Sequence, residues 1–315
     1  MSAEPSEDAR DSVPDNWDPD DLAPRHDIPR DGRSGFVLVE GRQVHYLEWG
    51  HRDLPPVLCL HGGGQTAYMF EGLGAALATT HHLLAPDLPS HGDSDPAVSG
   101  EWGRHVIAAT IPPLCATFGF DRAAFVGASL GGITSITVAA SHPELVAAIV
   151  LIDVGHRLEE DGVRKIMDFM SAHESFASLD EAAAEIAKYL PHRREVRRES
   201  LTRNLRRRKD GRWVWKHSFG RRYREQAARG GAAEDGEWRA VLAGLDDDAA
   251  GLGCPVLVLR GSASDVLSSA GAEEVAALIP DARLATVSNA GHLAAGDNPE
   301  STIGLVRAFL QEIRH

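Results

Sequence analysis

The sequence predicts an α/β fold, with a doubly wound and mostly parallel sheet and an inserted helical cap. Two observations lead to this prediction. Continuous apolar runs alternate with helical stretches, as expected when strands are covered by helices on both faces. The alternation stops after Asp153 and resumes at Pro255, which indicates an insertion between two strands of one sheet.

The N-terminal segment is acidic and rich in proline, and it lacks the apolar side chains that would offset the entropy of ordering. We therefore expect a disordered tail over residues 1–34. Two alternating stretches, 35–40 and 44–49, come next and predict an antiparallel pair joined by a turn at Gly41 and Arg42.

The main sheet is predicted from apolar runs that begin at Pro56, Leu83, Ala123, Ala147 and Pro255, with a further strand from Arg283. Helical patterns lie between them at 68–78, 103–117, 131–141 and 270–279, and a last helix runs to about residue 313. The stretch 156–250 is polar, helical in pattern and rich in arginine. These patterns predict a core of residues 35–155 and 251–315 and a cap of residues 156–250.

The composition narrows the possible partners. A formal net charge of -14 opposes binding to nucleic acid and to anionic membranes. No apolar run is long enough for a membrane span or a signal sequence, so we expect a cytoplasmic protein that acts on a small molecule. The three cysteines lie far apart in apolar segments, which predicts reduced core thiols, and neither a metal nor an organic cofactor is expected.

The strongest motif is GASLGG at residues 127–132, between an apolar run and a helix. A strand that turns sharply into a helix holds its central residue in a strained conformation and needs small residues on either side. Ser129 is therefore the predicted nucleophile. Its oxygen lies at a helix start, where backbone amides and the helix dipole favour a developing negative charge.

The motif HGGG at residues 61–64 follows the first parallel strand. Glycines there let backbone amides approach a substrate carbonyl, so the amides of Gly63 and Leu130 are the predicted oxyanion hole. We expect a structural role for His61. The polar loop from Asp87 to Ser94 is predicted to shape the site and to take no part in the chemistry.

His292 is the predicted general base, because it lies in a tight loop, NAGH, after the last strand. The orienting acid has two candidates at the same edge of the sheet. Asp265 follows the flexible loop GSAS and is favoured, whereas Asp153 lies where the chain leaves for the insertion and is the alternative.

With HGGG, DLPSHGDSD, GASLGG, RGSASD and NAGH in this order along the chain, the sequence resembles the α/β-hydrolase superfamily over residues 35–155 and 251–315. It is most similar to the capped branch that includes epoxide hydrolases, haloalkane dehalogenases, carboxylesterases, lactonases and carbon–carbon bond hydrolases. The epoxide and haloalkane members use an aspartate nucleophile, and Ser129 therefore argues against both activities.

The resemblance implies a serine hydrolase that cleaves an ester or lactone of a small, largely apolar substrate through an acyl-enzyme on Ser129. Two alternatives stay open: carbon–carbon bond hydrolysis on the same triad, and a ligand receptor with slow turnover. The cap residues that are candidates to roof an apolar pocket are Phe169, Met170, Phe176, Tyr189, Leu190, Trp213 and Trp215. The basic segment 192–224 is interpreted as a solvated helix face, with attraction of an anionic substrate or of the acidic tail as alternatives.

Overall fold

The structure of the chain is a computed structural model, and it describes residues 28–96, 103–190, 198–218 and 241–313. Most of the expected tail lies outside these ranges, as does much of the basic segment 192–224.

Eight strands form one sheet, and they are β1 (Arg33–Val39), β2 (Arg42–Trp49), β3 (Pro56–Leu60), β4 (His82–Pro86), β5 (Ala123–Ala128), β6 (Val146–Ile152), β9 (Val256–Gly261) and β10 (Ala282–Val287). Their order across the sheet is β1-β2-β4-β3-β5-β6-β9-β10. The β1–β2 and β2–β4 pairs are antiparallel, and the pairs from β4 to β10 are parallel. This arrangement confirms the predicted fold class.

The helices that flank the sheet are α1 (Glu71–Leu77), α2 (Arg104–Ala108), α3 (Ile111–Phe118), α4 (Leu130–Ser141), α9 (Ser269–Leu278), α10 (Ala294–Asp297) and α11 (Pro299–Glu312). The helix expected over 103–117 is broken into α2 and α3. Pro112 and Pro113 explain the break, because proline lacks the amide hydrogen that a continuing helix needs and fits only in a first turn.

The core lies on both faces of the sheet because successive strand side chains point to opposite sides. Phe125 and Ile149 belong to one buried cluster, whereas Val126 and Val150 belong to a second cluster on the other face. Strands buried on both faces explain why the sequence shows continuous apolar runs there. Cys59, Cys115 and Cys254 are buried free thiols, and burial raises the pKa of Cys254 to about 11.

The chain between β6 and β9 contains α5 (Glu160–Ala172), α6 (Leu179–Tyr189), α7 (Arg198–Leu201), β7 (Leu205–Arg207), β8 (Trp213–Trp215) and α8 (Leu245–Ala250). Besides these helices, β7 and β8 form a two-stranded antiparallel sheet, which the sequence pattern does not predict. Each strand has only three residues, too few to show an alternating pattern in the sequence. The extent of the cap, residues 156–250, stays a prediction.

The cap is fastened to the core by buried polar contacts. Lys216 forms an ion pair with Asp93 at 2.8 Å, and both side chains are at most 4% exposed. Arg206 donates a hydrogen bond to the carbonyl oxygen of Gly92 at 2.8 Å. None of the described helices is long and apolar enough to cross a membrane.

Candidate active site

The site lies where the winding direction of the sheet reverses. Strand β3 has β4 on one side and β5 on the other, so the chain passes from one half of the sheet to the other at β3 and β5. In open α/β sheets, ligands bind at the carboxyl ends of the strands at such a point. At this point the glycine loop, the HGGG motif at residues 61–64, follows β3, and Ser129 follows β5.

Ser129 occupies a strained turn, with φ 46° and ψ -115°, a region that non-glycine residues rarely enter. The neighbouring glycines allow the turn. A Cβ atom at Gly131 would lie 1.9 Å from the carbonyl oxygen of Leu60, and one at Gly127 would lie 2.4 Å from the carbonyl oxygen of Gly131. Helix α4 therefore starts directly against β3, and the predicted strand–turn–helix context of Ser129 is present.

Backbone amides surround this turn. The carbonyl oxygen of Ser129 accepts hydrogen bonds from Gly132 and Ile133, which begins the helical pattern of α4. Leu130 is the first residue of α4, so its amide has no acceptor within the helix. Such an amide is available to an anionic oxygen next to Ser129.

The glycine loop is held by His61, which is fully buried. Its Nδ1 lies 2.8 Å from the carbonyl oxygen of Gly62, and its Nε2 accepts a hydrogen bond from the amide of Leu88 at 2.9 Å. Burial lowers the pKa of His61. A neutral imidazole with both nitrogens engaged fits the structural role expected for it. Gly63 lies in this loop and lines the same cavity as Ser129.

His292 is paired with Asp153. The Nδ1 atom of His292 lies 2.9 Å from Oδ2 of Asp153, whose side chain is fully buried. The other carboxylate oxygen of Asp153 accepts the amide of Gly261 at 2.8 Å. A carboxylate at Nδ1 fixes the tautomer that leaves Nε2 as the basic nitrogen.

The structure contradicts the expectation that Asp265 reaches His292. Asp265 forms an ion pair with Lys165 of α5 at 2.8 Å, and its side chain is 54% exposed. The loop that carries Asp265 packs against helix α5 of the cap. The contact is so close that a Cβ atom at Gly162 of α5 would lie 2.0 Å from the carbonyl oxygen of Asp265. The carboxylate next to His292, the predicted base, is therefore that of the alternative candidate, Asp153.

Ser129 and His292 line one cavity of about 1070 Å³. Among the predicted roof residues, Phe169, Met170, Tyr189, Leu190 and Trp215 line it. Phe176 and Trp213 are not among its lining residues and pack in the buried cluster of the cap. Sequence reasoning missed a polar part of the wall, which comes from Gln65, Thr66, Arg203, Asn204 and His217. Nothing local in the sequence marks these residues, because they meet only when the cap folds over the core.

Among the described residues, one group of side chains has the spacing of a metal site: His45, Asp87 and Asp93. All three side chains already take part in protein contacts. The Asp87 carboxylate accepts hydrogen bonds from the amides of Ala67 and Asp93 and lies 2.7 Å from Nδ1 of His45, and the ammonium of Lys216 contacts Asp93. These contacts fit a structural role, in which Asp87 fastens the loop from Asp87 to Ser94 to β2 and to the segment after β3.

Comparisons with known proteins agree with the fold. A family model described as alpha/beta hydrolase fold matches residues 55–299. Esterase Rv0045c of Mycobacterium tuberculosis is 29% identical over 281 residues, which are 86% of this chain and 88% of that protein. The 2-(acetamidomethylene)succinate hydrolase of Mesorhizobium japonicum is 26% identical over 304 residues, which are 92% of this chain and 98% of that protein.

A solved structure is similar over nearly the same length. The crystal structure of an alpha/beta hydrolase from Novosphingobium aromaticivorans has a TM-score of 0.72 and 26% identity, and the match covers 89% of this chain and 98% of that chain. The family model spans most of the sequence and includes both the elbow at Ser129 and the loop of His292. The chain therefore belongs to the α/β-hydrolase-fold family of hydrolases.

Proposed function

We propose that this hydrolase is a serine esterase that cleaves the carboxyl ester or lactone bond of a small, largely apolar molecule through an acyl-enzyme on Ser129. One observation supports this more than any other. The strained Ser129 and His292, which is paired with Asp153, line the same cavity, so a nucleophile and an oriented base face a common substrate space.

In the first half of the reaction, Nε2 of His292 removes the proton of the Ser129 hydroxyl as the oxygen attacks the ester carbonyl. The carbonyl oxygen becomes an anion, and the amides of Gly63 and Leu130 stabilise it by hydrogen bonds. Asp153 stabilises the imidazolium that forms. The proton on Nε2 then passes to the departing alcohol as the carbon–oxygen bond breaks, which leaves the acyl group on Ser129.

In the second half, His292 removes a proton from water and the resulting hydroxyl group attacks the acyl carbonyl. The same amides hold the second oxyanion. The Ser129 oxygen then leaves as the acid is released, and it recovers its proton from His292. The sequence of steps begins and ends with a neutral imidazole.

The cavity wall supports a substrate with an apolar body and a polar group. Phe169 stacks on Tyr189 with ring centroids 4.3 Å apart, and Trp215 meets the edge of Phe169 at 6.0 Å. These rings, with Met170 and Leu190, offer an apolar surface. On the polar side, Asn204 accepts a hydrogen bond from Thr66 at 3.2 Å.

The described part of the basic segment supports an uncharged substrate over an anionic one. Arg203 is paired with both carboxylate oxygens of Glu71, at 2.6 and 3.0 Å, and lies 4.9 Å from the ring centroid of Tyr68. Lys216 is neutralised by Asp93, as described above. The positive charges of Arg203 and Lys216 are balanced by carboxylates of the core. These two side chains therefore add no net positive charge to the cavity wall.

The named relatives support ester hydrolysis and one alternative. Esterase Rv0045c carries the activity in its name. The similarity to a 2-(acetamidomethylene)succinate hydrolase keeps a non-ester reaction, such as carbon–carbon bond hydrolysis, as the second candidate. Both reactions use the same serine, base and oxyanion hole, so geometry alone does not separate them.

The deciding experiment is a panel of nitrophenyl esters with acyl chains from acetyl to decanoyl, assayed on the full chain and on Ser129→Ala. We expect turnover by the unmodified enzyme. We expect KM to fall with chain length by up to about fourfold per methylene until the cavity is filled, because burying a methylene contributes about 0.8 kcal/mol.

Labelling with a fluorophosphonate is the control, because it reports an activated serine independently of the substrate. Labelling without turnover of any ester would overturn the esterase proposal and favour carbon–carbon bond hydrolysis or a receptor with slow turnover. Absence of labelling would overturn the assignment of Ser129 as the nucleophile.

A further inference from the structure

The carboxylate of Asp153 has a second side-chain partner besides His292. The Oγ atom of Ser264 lies 2.5 Å from Oδ2 of Asp153, the same oxygen that lies 2.9 Å from Nδ1 of His292. Ser264 follows β9 in the loop whose next residue, Asp265, points away toward Lys165. This loop therefore contributes a hydroxyl to the acid of the triad.

The direction of the hydroxyl proton follows from its other contacts. Ser264 Oγ accepts hydrogen bonds from the amides of Val266 and Leu267, both at 3.2 Å. A hydroxyl has one proton and two lone pairs, so both lone pairs are engaged and the proton is left for Asp153. A hydroxyl that donates to a carboxylate makes one of the stronger and shorter hydrogen bonds in proteins.

The hydroxyl is held in place by a well-anchored loop. The amide of Ala263 donates to the carbonyl oxygen of Ala290 at 2.8 Å, which ties the loop to the segment that carries His292. The side chain of Arg260 donates to the carbonyl oxygen of Leu267 at 2.8 Å. The loop and the base are thus fixed to each other, and Ser264 meets the carboxylate at a defined position.

These contacts together fix the orientation of the carboxylate. Oδ1 of Asp153 receives the amide of Gly261, and Oδ2 receives Ser264 in addition to His292. Of these three contacts, those with the Gly261 amide and with the imidazole would remain without Ser264. The carboxylate could then rotate more freely about its Cβ–Cγ bond. A misoriented acid costs turnover because the imidazole is no longer held in the productive tautomer and position.

We propose that Ser264 is a positioning residue of the triad, which acts by holding the Asp153 carboxylate toward His292. The proposal rests on the proposed function, since it assumes that His292 is the base. A purely local role is the competing explanation, because a serine that accepts amides two and three residues ahead also stabilises its own turn.

The test is a double-mutant cycle with Ser264→Ala and Asp153→Asn, assayed with the best nitrophenyl ester of the panel. We expect Ser264→Ala to lower kcat by about 10- to 100-fold with KM changed less than about threefold, as for the loss of a hydrogen bond to a charged group. In the Asp153→Asn background, the same change should lower kcat by less than about threefold, because the effect depends on the carboxylate.

Two further variants separate positioning from folding. Ser264→Thr keeps the hydroxyl and should retain kcat within about threefold, whereas Ser264→Cys keeps the size but offers only a weak donor and should resemble Ser264→Ala. Melting temperatures of all variants show whether the loop is intact. If Ser264→Ala does not fold, Ser264→Cys takes its place in the cycle.

If the losses in kcat from Ser264→Ala and Asp153→Asn simply multiply in the double variant, the proposal is overturned in favour of a local structural role. Full kcat in Ser264→Cys would overturn it as well. Failure of the proposed function looks different. In that case Ser129→Ala or Asp153→Asn would itself keep ester turnover, whatever the result at Ser264.

Discussion

Oδ2 of Asp153 lies 2.9 Å from Nδ1 of His292, although these residues are 139 positions apart in the sequence. Asp153 directly follows β6 with a φ of 52°, a turn that points its carboxylate along the sheet edge toward the loop after β10. The amide of Asp153 also donates to the carbonyl oxygen of Leu259 in the neighbouring strand at 2.7 Å. The imidazole of His292 is therefore oriented by a residue that is anchored to the sheet.

The first prediction follows from this pair. Asp153→Asn should lower turnover by about 10⁴, because the asparagine amide favours the wrong imidazole tautomer and no longer stabilises the imidazolium. Asp265→Asn should keep at least about a tenth of the activity, since its half-exposed carboxylate pairs with the exposed Lys165. Kinetics on the two folded variants with one ester are the measurement. A larger loss in Asp265→Asn would contradict the geometry.

The sequence points to Ser129 and His292 because each lies in a short segment with a distinctive local motif, and the structure brings both residues to one cavity. For the acid, the sequence favours Asp265, whereas His292 contacts Asp153 in the structure. Both aspartates follow neighbouring parallel strands at the same edge, and the local criteria are the flexible loop before Asp265 and the exit of the chain into the insertion at Asp153. The choice depends on Lys165, which reaches Asp265 from the cap, and on Ser264 and Gly261, which meet Asp153 only in the folded sheet.

The fold, like the candidate site, could be predicted in part from the sequence. The buried strands are evident in the sequence because apolar residues on both faces produce continuous runs, as in β5 and β6. The small sheet of β7 and β8 was not predictable, since its strands are short and are stabilised by contacts such as the bridge between Phe176 and Trp213. Tertiary packing decides such segments.

The second prediction concerns the nucleophile. Ser129→Ala should remove ester hydrolysis by a factor on the order of 10⁶ and leave a residual rate from the oxyanion hole and from substrate binding. The alanine keeps the Cβ atom and the strained backbone, so the unfolding free energy should change little. Steady-state kinetics and urea denaturation measure the two effects. Unchanged ester cleavage in this variant would exclude the acyl-enzyme.

The third prediction concerns Gly131, which lies in the first turn of α4. Gly131→Ala should destabilise the protein by about 3 kcal/mol, since its Cβ would lie 1.9 Å from a backbone oxygen of Leu60 and α4 would have to move away from β3. Gly304→Ala in α11 is the matched control, because nothing lies within 4 Å of its Cβ position. The control should be neutral or gain up to about 1 kcal/mol. Equal unfolding free energies for both variants would refute the packing argument.

The fourth prediction concerns the contact between cap and core. Lys216→Met should destabilise the protein by about 3 kcal/mol or more, because it leaves the buried carboxylate of Asp93 without its cation. Lys165→Met is the control, since the pair with Asp265 is largely exposed and should contribute less than about 1 kcal/mol. Urea denaturation gives both values. A loss in the control as large as that in Lys216→Met would contradict the difference in burial.

The last prediction concerns Asp87 and its dependence on pH. Burial alone would raise the pKa of Asp87, but the electrostatic attraction and hydrogen bond of His45 outweigh burial, together with the hydrogen bond from the amide of Ala67. The pKa of Asp87 therefore lies well below its ordinary value of 3.8. Asp87→Asn keeps the shape but replaces a carboxylate oxygen with a donor, so at least one of these contacts is lost.

A carboxyl whose pKa is lower in the folded state stabilises the fold above its ordinary pKa, and that contribution is lost as the pH falls toward the lowered value. We expect Asp87→Asn to cost about 3 kcal/mol at pH values near 7 and near 5, and the difference from the unmodified protein to shrink as the pH falls below about 4. Asp53→Asn is the control, because the Asp53 side chain is 90% exposed. Urea denaturation at about pH 7, 5 and 3 is the measurement. A difference for Asp87→Asn that stays constant down to about pH 3 would show that the pKa of this carboxyl is not lowered by folding.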